Sequence, residues 1–188
     1  EGDCAAMILS ELERLEIHDH GAPADDYTDP ALRYSKRTYL KFLRVLMKKE
    51  LVIFCTSAKC TVGTFFVKKK NGSIRWIVDA RSTNAQFRAP PSIALASPEA
   101  LGRIEADPSQ ELFTAKADVD NFFLRLRIPV ELSRWFALLP IRAGDLGIAV
   151  CADGAVDADT LLYPCCATLP MGFSWAMFLA QSVTEFLL

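Results

Sequence analysis

The feature that most restricts the fold is a pair of β-rich segments, rich in Phe, Val, Ile and Trp, joined by Asn71-Gly72. Asn-Gly suits the positive φ angles of a two-residue type I′ turn, so we predict a β-hairpin. In that register Lys68 lies opposite Arg75, and both share one face with Lys70. Like charges placed opposite each other repel, so their presence predicts an anionic ligand that lies against this face. The alternative is that the lysines only protect an exposed strand edge from aggregation.

Charge is distributed unevenly along the chain. Residues 31–90 carry fourteen Lys and Arg against two acids, a net charge of +12, whereas residues 1–30 carry −8 and residues 91–188 carry −6. The overall charge of −2 therefore conceals a strongly basic block. Such a block indicates an anionic partner, with nucleic acid as the first choice and an anionic membrane surface as the second.

Part of this basic block has helical spacing. Between Pro30 and Glu50, apolar residues recur every three or four positions, and Lys and Arg fill the other positions. The pattern predicts a basic amphipathic helix, and its lack of interleaved acids favours contact with a polyanion over a solvated face. Upstream, residues 1–30 predict a short acidic helix followed by a linker.

The segment around Asp118 predicts a strand that ends in carboxylates. Residues 112–117 form a short apolar run, and residues 122–128 alternate in a manner typical of an extended, half-buried segment. Asp118 and Asp120 at this point suit either a bound cation or the cap of a turn.

The remaining pattern predicts further elements in a mixed α and β chain. We expect strands at 51–55 and 135–139, a helix from Ser97 to Glu105, and a hairpin loop over 142–160. After these come a strand that ends at Leu169, a Pro-Met-Gly turn, and a helix from Ser174 to Leu188. Prolines and charges interrupt every membrane-length window, so we predict no membrane partner.

Cysteine and histidine usage predicts the compartment and excludes one class of metal site. The six cysteines contain no Cys-X-X-Cys pair, and only two histidines are present, which disfavours zinc and a disulfide framework. The chain opens without a secretory leader pattern, so we predict an intracellular protein, cytoplasmic or nuclear.

Three segments resemble, in the family's order, the fingers and first palm motifs of reverse transcriptases. The fingers segment is Phe65-Phe-Val-Lys-Lys-Lys-Asn-Gly-Ser-Ile-Arg75, followed by Asp79-X-Arg81-X-X-Asn84. The first palm motif is Asp118 with an aromatic residue, Phe123, five positions later. The second palm motif is Leu169-Pro-Met-Gly-Phe-Ser-Trp-Ala176 with Gln181.

The resemblance implies an α+β fold of right-hand polymerase type, with an antiparallel sheet and packed helices. It divides the chain into fingers at 31–105, the first palm motif at 106–129, a fingers return hairpin at 130–167 and the second palm-motif helix at 168–188. The implied activity is RNA-directed DNA polymerisation of the retroelement type, with an RNA or DNA template-primer and deoxynucleoside triphosphates as partners.

The resemblance also implies the metal and triphosphate ligands. Asp118 and the backbone carbonyl of Val119 would hold Mg²⁺ or Mn²⁺, and Asp118 would be the catalytic carboxylate. Arg75 would hold the triphosphate together with Lys68 or Lys69. The family pattern does not choose between the two lysines, whereas the predicted hairpin register favours Lys68.

Further positions follow from the resemblance in the same way. Phe123 would exclude a ribose 2′-hydroxyl, and three residues would line the nucleotide pocket: Met171, Gly172 and Gln181. Three fingers residues would contact the template: Asp79, Arg81 and Asn84.

The chain lacks one feature of the family, the third palm motif. That motif, with its paired aspartates, would lie beyond Leu188, so we expect the fragment to be inactive as a polymerase on its own. Met171 and Met177 also differ from the residues common in the family. The alternatives are a decayed or repurposed module that binds nucleic acid without catalysis, and a glycosyltransferase whose Asp-X-Asp motif would be Asp118-Val-Asp120.

Overall fold

The fold is α+β, with short helices around small antiparallel sheets. The structure, a computed structural model, describes residues 26–93, 95, 97–105, 109, 111, 113, 115 and 118–187. The predicted N-terminal helix and most of the predicted strand at 112–117 lie outside these residues.

The elements follow the chain in this order. The helices are α1 Pro30–Arg33, α2 Lys36–Lys48, α3 Arg81–Asn84, α4 Pro98–Gly102, α5 Phe122–Arg125, α6 Val130–Ser133 and α7 Ala176–Leu187. The strands are β1 Val52–Cys55, β2 Gly63–Lys68, β3 Ile74–Asp79, β4 Ile141–Arg142, β5 Val150–Cys151, β6 Gly154–Ala155 and β7 Leu161–Cys166. Two 3₁₀ turns cover Arg134–Phe136 and Ala143–Asp145.

The predicted basic amphipathic helix is confirmed over α2, but it is not continuous from Pro30, because the helix is interrupted at Tyr34 and Ser35 and α1 forms a separate turn. Ser35 begins α2 as its N-cap, because its Oγ accepts a hydrogen bond from the Thr38 amide at 3.3 Å. Tyr39, Leu43 and Leu46 are buried on one side of α2, and its basic side chains are exposed on the other. The helix therefore contributes one apolar face to the core and leaves a cationic face in solvent.

The central sheet brings distant parts of the chain together in the order β1-β7-β4, with both pairings antiparallel. Val52 pairs with Cys166, and Ile141 pairs with Leu162. Leu138 and Leu162 are fully buried against this sheet. The predictions of a strand at 51–55 and of a hairpin within 142–160 are confirmed, the latter as β5 and β6.

The hairpin β2–β3 is present, but its loop differs from the predicted one. The Lys69 amide donates to the Ser73 carbonyl at 2.7 Å, and the Gly72 amide donates to the Lys69 carbonyl at 3.0 Å. Of the loop residues, Gly72 has a positive φ, at 82°, and Asn71 does not. This is a three-residue loop with glycine in the left-handed region, which Asn-Gly suits as well as it suits a type I′ turn.

The extra loop residue changes the register by one position. Arg75 lies opposite Val67, and Lys68 lies opposite Ile74. The prediction that Lys68 is opposite Arg75 is therefore wrong, as is the shared face that followed from it. Because side chains alternate along a strand, the face of Arg75 continues from Val67 to Lys69.

Two further local predictions are wrong. Residues 122–128 are not extended throughout, because α5 forms a helical turn and only the part after Leu126 is extended. Residues 135–139 do not form a strand, because a 3₁₀ turn at Arg134–Phe136 precedes single bridges from Ala137 to Thr61 and Cys165. Phe136, Ala137 and Leu138 are all fully buried, so their apolar run reflects burial on every side and not a ladder.

The C-terminal prediction is confirmed in type and order. Strand β7 leads through the Pro-Met-Gly turn into α7, and Ser97 caps α4 as expected, although α4 ends at Gly102. Among the described helices, none has the length and apolar character needed to cross a membrane.

Candidate functional site

The hairpin presents a cationic concave surface to solvent. A depression of about 670 Å³ is lined by Val67, Lys68, Lys69, Lys70, Asn71, Arg75 and Ile77. Val67 and Arg75 are exposed, and alternation places Lys69 on their side of the hairpin. A planar guanidinium beside a lysine and apolar side chains is a suitable surface for a polyphosphate attached to a less polar group.

The opposite face of the hairpin packs against α2 and so fixes the orientation of the depression. The ring of Phe42 lies 5.4 Å from that of Phe66 and 5.8 Å from that of Trp76, both in edge-to-face geometry. Lys68 extends from this packed side of β2, next to Ile74. The register thus favours Lys69 over Lys68 as the partner of Arg75.

Asp79, at the end of β3, is held by an internal network. Arg81 donates Nε to Oδ1 at 2.9 Å and Nη2 to Oδ2 at 2.7 Å, and the Tyr27 amide donates to Oδ2 at 2.8 Å. The hydrogen bond from Arg81 is the main reason that the pKa of Asp79 is lowered from its usual value. Asp79 therefore positions Arg81 and the segment before α1, and its predicted contact with a template stays a prediction.

Asn84, the last residue of α3, joins this helix to the Pro-Met-Gly turn. Its Nδ2 donates to the Gly172 carbonyl at 2.9 Å, and its Oδ1 accepts from the Ser174 amide at 2.8 Å. One side-chain amide thus satisfies two backbone groups of a turn that follows it by almost ninety residues in sequence. Two of the three segments that carry the family resemblance are in direct contact through this residue.

Gly172 is required for that contact by its close backbone approach. A Cβ atom at this position would lie 2.3 Å from the Val78 carbonyl oxygen, well inside van der Waals contact. The turn consequently rests on the end of β3 with no room for a larger residue. Met171, the preceding residue, is 57% exposed, so its side chain is available at the surface beside the hairpin.

Asp118 and Val119 lie at the surface, before the helical turn α5. Both are exposed, and Asn121 follows them with a left-handed φ of 52°. Arg125 donates Nε to the Asp120 carbonyl at 2.8 Å and so closes the turn. Phe123 is half-buried against the main core.

The segment that follows Phe123 pairs with the approach to the Pro-Met-Gly turn. The Leu169 amide donates to the Leu126 carbonyl at 2.9 Å, and the Ile128 amide donates to the Ala167 carbonyl at 3.2 Å. The segment after Phe123 and the segment that leads into the Pro-Met-Gly turn are therefore adjacent along the backbone. Gln181 lies on α7, half-buried, with its Nε2 donating to Glu185 at 2.9 Å.

The described carboxylates do not assemble a complete metal site. Within the part of the chain that the structure describes, no group of three or more His, Cys, Asp and Glu side chains could hold a metal ion. Asp118 offers a hard, exposed oxygen donor of the type that Mg²⁺ prefers, and this ion takes only one or two protein carboxylates beside water and phosphate. The residues present thus fit part of the ligand set of such an ion.

Two residues near the site were missed by the sequence analysis. Tyr27 packs edge-on against Phe65, with ring centroids 5.5 Å apart, and Asp26 accepts from the Ser82 amide at 3.1 Å. Burial raises the pKa of Asp26. Both residues stand in a Gly-, Pro- and Asp-rich stretch without periodicity, which offered no signal of their position.

Comparisons with other proteins assign the chain to no family. No protein-family model matches it, and no curated protein is significantly similar to it.

Proposed function

We propose that this chain supplies the fingers and the first two palm segments of an RNA-directed DNA polymerase of retroelement type. The observation that carries the proposal is the contact of Asn84 with both Gly172 and Ser174. Three short segments that resemble one family could occur by chance in a long chain. A side chain from one of them that satisfies two backbone groups of another is an independent geometric argument that they serve one site.

The basic face of the hairpin is proposed to bind the triphosphate of the incoming deoxynucleotide. Arg75 can donate two parallel N–H groups to phosphate oxygens, and Lys69 can add a point charge from the same face. Ile77 and Val67 provide apolar surface beside these charges. Gly172 keeps the Pro-Met-Gly turn close against the end of β3, and Met171, which is exposed in that turn, is proposed to contact the nucleotide.

Asp118 is proposed as the catalytic carboxylate and, with the Val119 carbonyl, as the ligand of Mg²⁺ or Mn²⁺. A bound divalent ion would neutralise the triphosphate and favour ionisation of the primer 3′-hydroxyl. In this proposal Phe123 occupies the space that a ribose 2′-hydroxyl would need, and Gln181 supports the pocket from α7. Asp79, Arg81 and Asn84 form the surface proposed to contact the template.

The triphosphate part of the proposal is testable on this chain alone. We expect saturable binding of a deoxynucleoside triphosphate in calorimetric titrations with Mg²⁺ present. Arg75→Gln and Lys69→Gln should each weaken binding about tenfold or more, because a hydrogen bond to a charged group contributes about 1.5–3 kcal/mol. Lys68 also lines the depression, but strand alternation points its side chain to the other face, so Lys68→Gln should weaken binding less than threefold. Lys49→Gln, an exposed lysine at the end of α2 that does not line the depression, is the control and should leave binding unchanged.

Three outcomes would contradict the proposal. No saturable binding at millimolar triphosphate would remove the site, and equal effects of Lys68→Gln and Lys69→Gln would refute the assignment by face. Preferential binding of a nucleoside-diphosphate sugar that depends on Asp118 and Asp120 would instead support a glycosyltransferase.

A further inference from the structure

Helix α2 carries a straight stripe of cations, here called the basic stripe: Arg37, Lys41, Arg44 and Lys48. All four side chains are exposed. Their spacings of four, three and four residues place them within about 60° of one another around the helix, over a length of about 16 Å. The basic stripe is thus a narrow line of positive charge along one side of the helix.

Within the described part of the chain, no carboxylate forms an ion pair with the basic stripe. Among the residues that the structure describes, ion pairs involve Lys36 with Asp145 at 2.8 Å and Glu50 with Arg127, but none of the four stripe residues. Like charges three and four positions apart on a helix repel one another. An arrangement that weakens the isolated helix is explained if an anionic chain lies along it.

The buried side of α2 argues against a membrane as this partner. A helix that binds a membrane surface needs its apolar face free to enter the headgroup region. In α2 that face is occupied, because Tyr39, Leu43 and Leu46 are 4%, 0% and 3% exposed within the core. The stripe offers charge without insertion, which suits a soluble polyanion.

An exposed aromatic residue, Tyr34, indicates which class of polyanion the basic stripe binds. Tyr34 lies between α1 and α2, three residues before Arg37, and is 81% exposed, so its ring is accessible to a ligand. Aromatic rings beside a cationic track provide stacking surfaces for unpaired bases, whereas a duplex does not present its base faces. We propose that Tyr34 and the basic stripe bind single-stranded nucleic acid, with the stripe on the phosphates and Tyr34 stacked on a base.

This surface is separate from the proposed triphosphate site. Phe42, through which α2 contacts the hairpin, lies about 140° around the helix from Arg37. The depression of Arg75 is on the far face of that hairpin. The stripe can therefore bind a strand whether or not the chain takes part in polymerisation.

The test is fluorescence anisotropy of a labelled single-stranded RNA of about 16 nucleotides, titrated with the chain at several salt concentrations. The triple variant K41Q/R44Q/K48Q should bind at least tenfold more weakly at about 0.1 M salt. The slope of log K against log salt should become shallower by about 2, because each lost phosphate contact removes about 0.7 for a single strand. Tyr34→Ala should weaken binding about tenfold with little change in slope.

The matched control removes the same number of exposed charges elsewhere: K49Q/R88Q/R103Q. Equal losses in the two triple variants would overturn the proposal, because the effect would then depend on net charge alone. Tighter binding of duplex than of single strand, or binding of phosphatidylserine vesicles without RNA binding, would also overturn it.

Two further measurements keep the result interpretable. If the stripe variant unfolds at a lower temperature than the control, the single variant Lys41→Gln replaces it, with an expected slope change of about 0.7. Deoxynucleoside triphosphate binding should be unchanged in the stripe variants. A variant that loses RNA binding but still binds triphosphate shows that the two proposals concern separate sites. A variant that loses triphosphate binding but still binds RNA shows the same.

Discussion

Replacing Asn84 by alanine should loosen the contact between α3 and the Pro-Met-Gly turn. The substitution removes one donor to the Gly172 carbonyl and one acceptor for the Ser174 amide. No cavity of consequence forms, because Asn84 is half-exposed. The effect should therefore come almost entirely from the two hydrogen bonds.

The size of this effect follows from the geometry. The two bonds measure 2.9 and 2.8 Å, and each such bond contributes about 0.5–1.5 kcal/mol net. Water can reach the freed groups, so the full penalty of a buried unpaired group does not apply. We expect the free energy of unfolding to fall by about 1–3 kcal/mol, or the melting temperature by about 2–12 °C for a chain of this size.

Urea denaturation followed by tryptophan fluorescence measures the change. Trp175 is 5% exposed directly after the turn, and its Nε1 donates to the Arg88 carbonyl at 2.7 Å, so its emission reports on the turn. Asn84→Asp has the same shape and can still accept from the Ser174 amide, but it cannot donate to the Gly172 carbonyl, so it should also lose stability. Asn71→Ala also removes two hydrogen bonds, but both are to nearby Ser73.

The control, Asn71→Ala, should leave the tryptophan emission of the native state unchanged. An Asn84→Ala variant with wild-type stability and emission would refute the view that this side chain holds the turn. It would also remove the main support for a shared site.

Two other predictions rest on the proposed function, and a third rests on an ion pair in the structure. In a polypeptide that also carries the third palm motif, Asp118→Asn should abolish primer extension while template binding persists, and near-normal extension would exclude the metal assignment. In the same assay Phe123→Ala should increase ribonucleotide incorporation, and an unchanged ribo-to-deoxy ratio would count against a gate. Arg134 holds the pKa of Asp153 at about 2, below its usual 3.8, so this pair should stabilise the fold above about pH 4 and lose its contribution as the pH falls toward 2. Urea unfolding of Asp153→Asn should show a flatter acid dependence than wild type, and identical curves would contradict the assignment.

The hairpin illustrates how far local sequence determines local structure. Asn71-Gly72 between β-rich segments was sufficient to predict that two strands pair. It was not sufficient to predict the register, because the same dipeptide fits a two-residue and a three-residue loop. A shift of the register by one position exchanges the two faces of the hairpin. The register therefore decides whether Lys68 or Lys69 lies on the same face as Arg75.

Burial on all sides was the second cause of error. Phe136, Ala137 and Leu138 are consecutive and fully buried, so hydrophobicity carries no period there and cannot separate a strand from a tight turn. By contrast, the helices α2 and α7 have a polar or exposed side, and both were predicted in the correct place. Periodicity is informative only where one side of an element meets water.

The contacts that assemble the candidate site could not be predicted from local pattern. Asn84 and Gly172 are far apart in sequence, and the local sequence around either residue does not predict that it contacts the other. The position of the segment with Asp26 and Tyr27 could not be predicted either, because it depends on a hydrogen bond that the Asp79 carboxylate accepts from the Tyr27 amide. A family resemblance suggested which residues belong together, but the geometry that supports this came from the fold.

The order of the central sheet has a consequence for how the chain folds. Strand β7 pairs with β1 on one side and β4 on the other, so the middle strand of the sheet is the last to be synthesised. The hairpin β2–β3 and helix α2 can form from local contacts as they leave the ribosome, but β1 must wait for Leu161–Cys166. Long-range pairing of this kind slows folding and leaves strand edges exposed in the meantime. A chain that stalls before β7 should therefore be a chaperone substrate with an unpaired Val52–Cys55 edge.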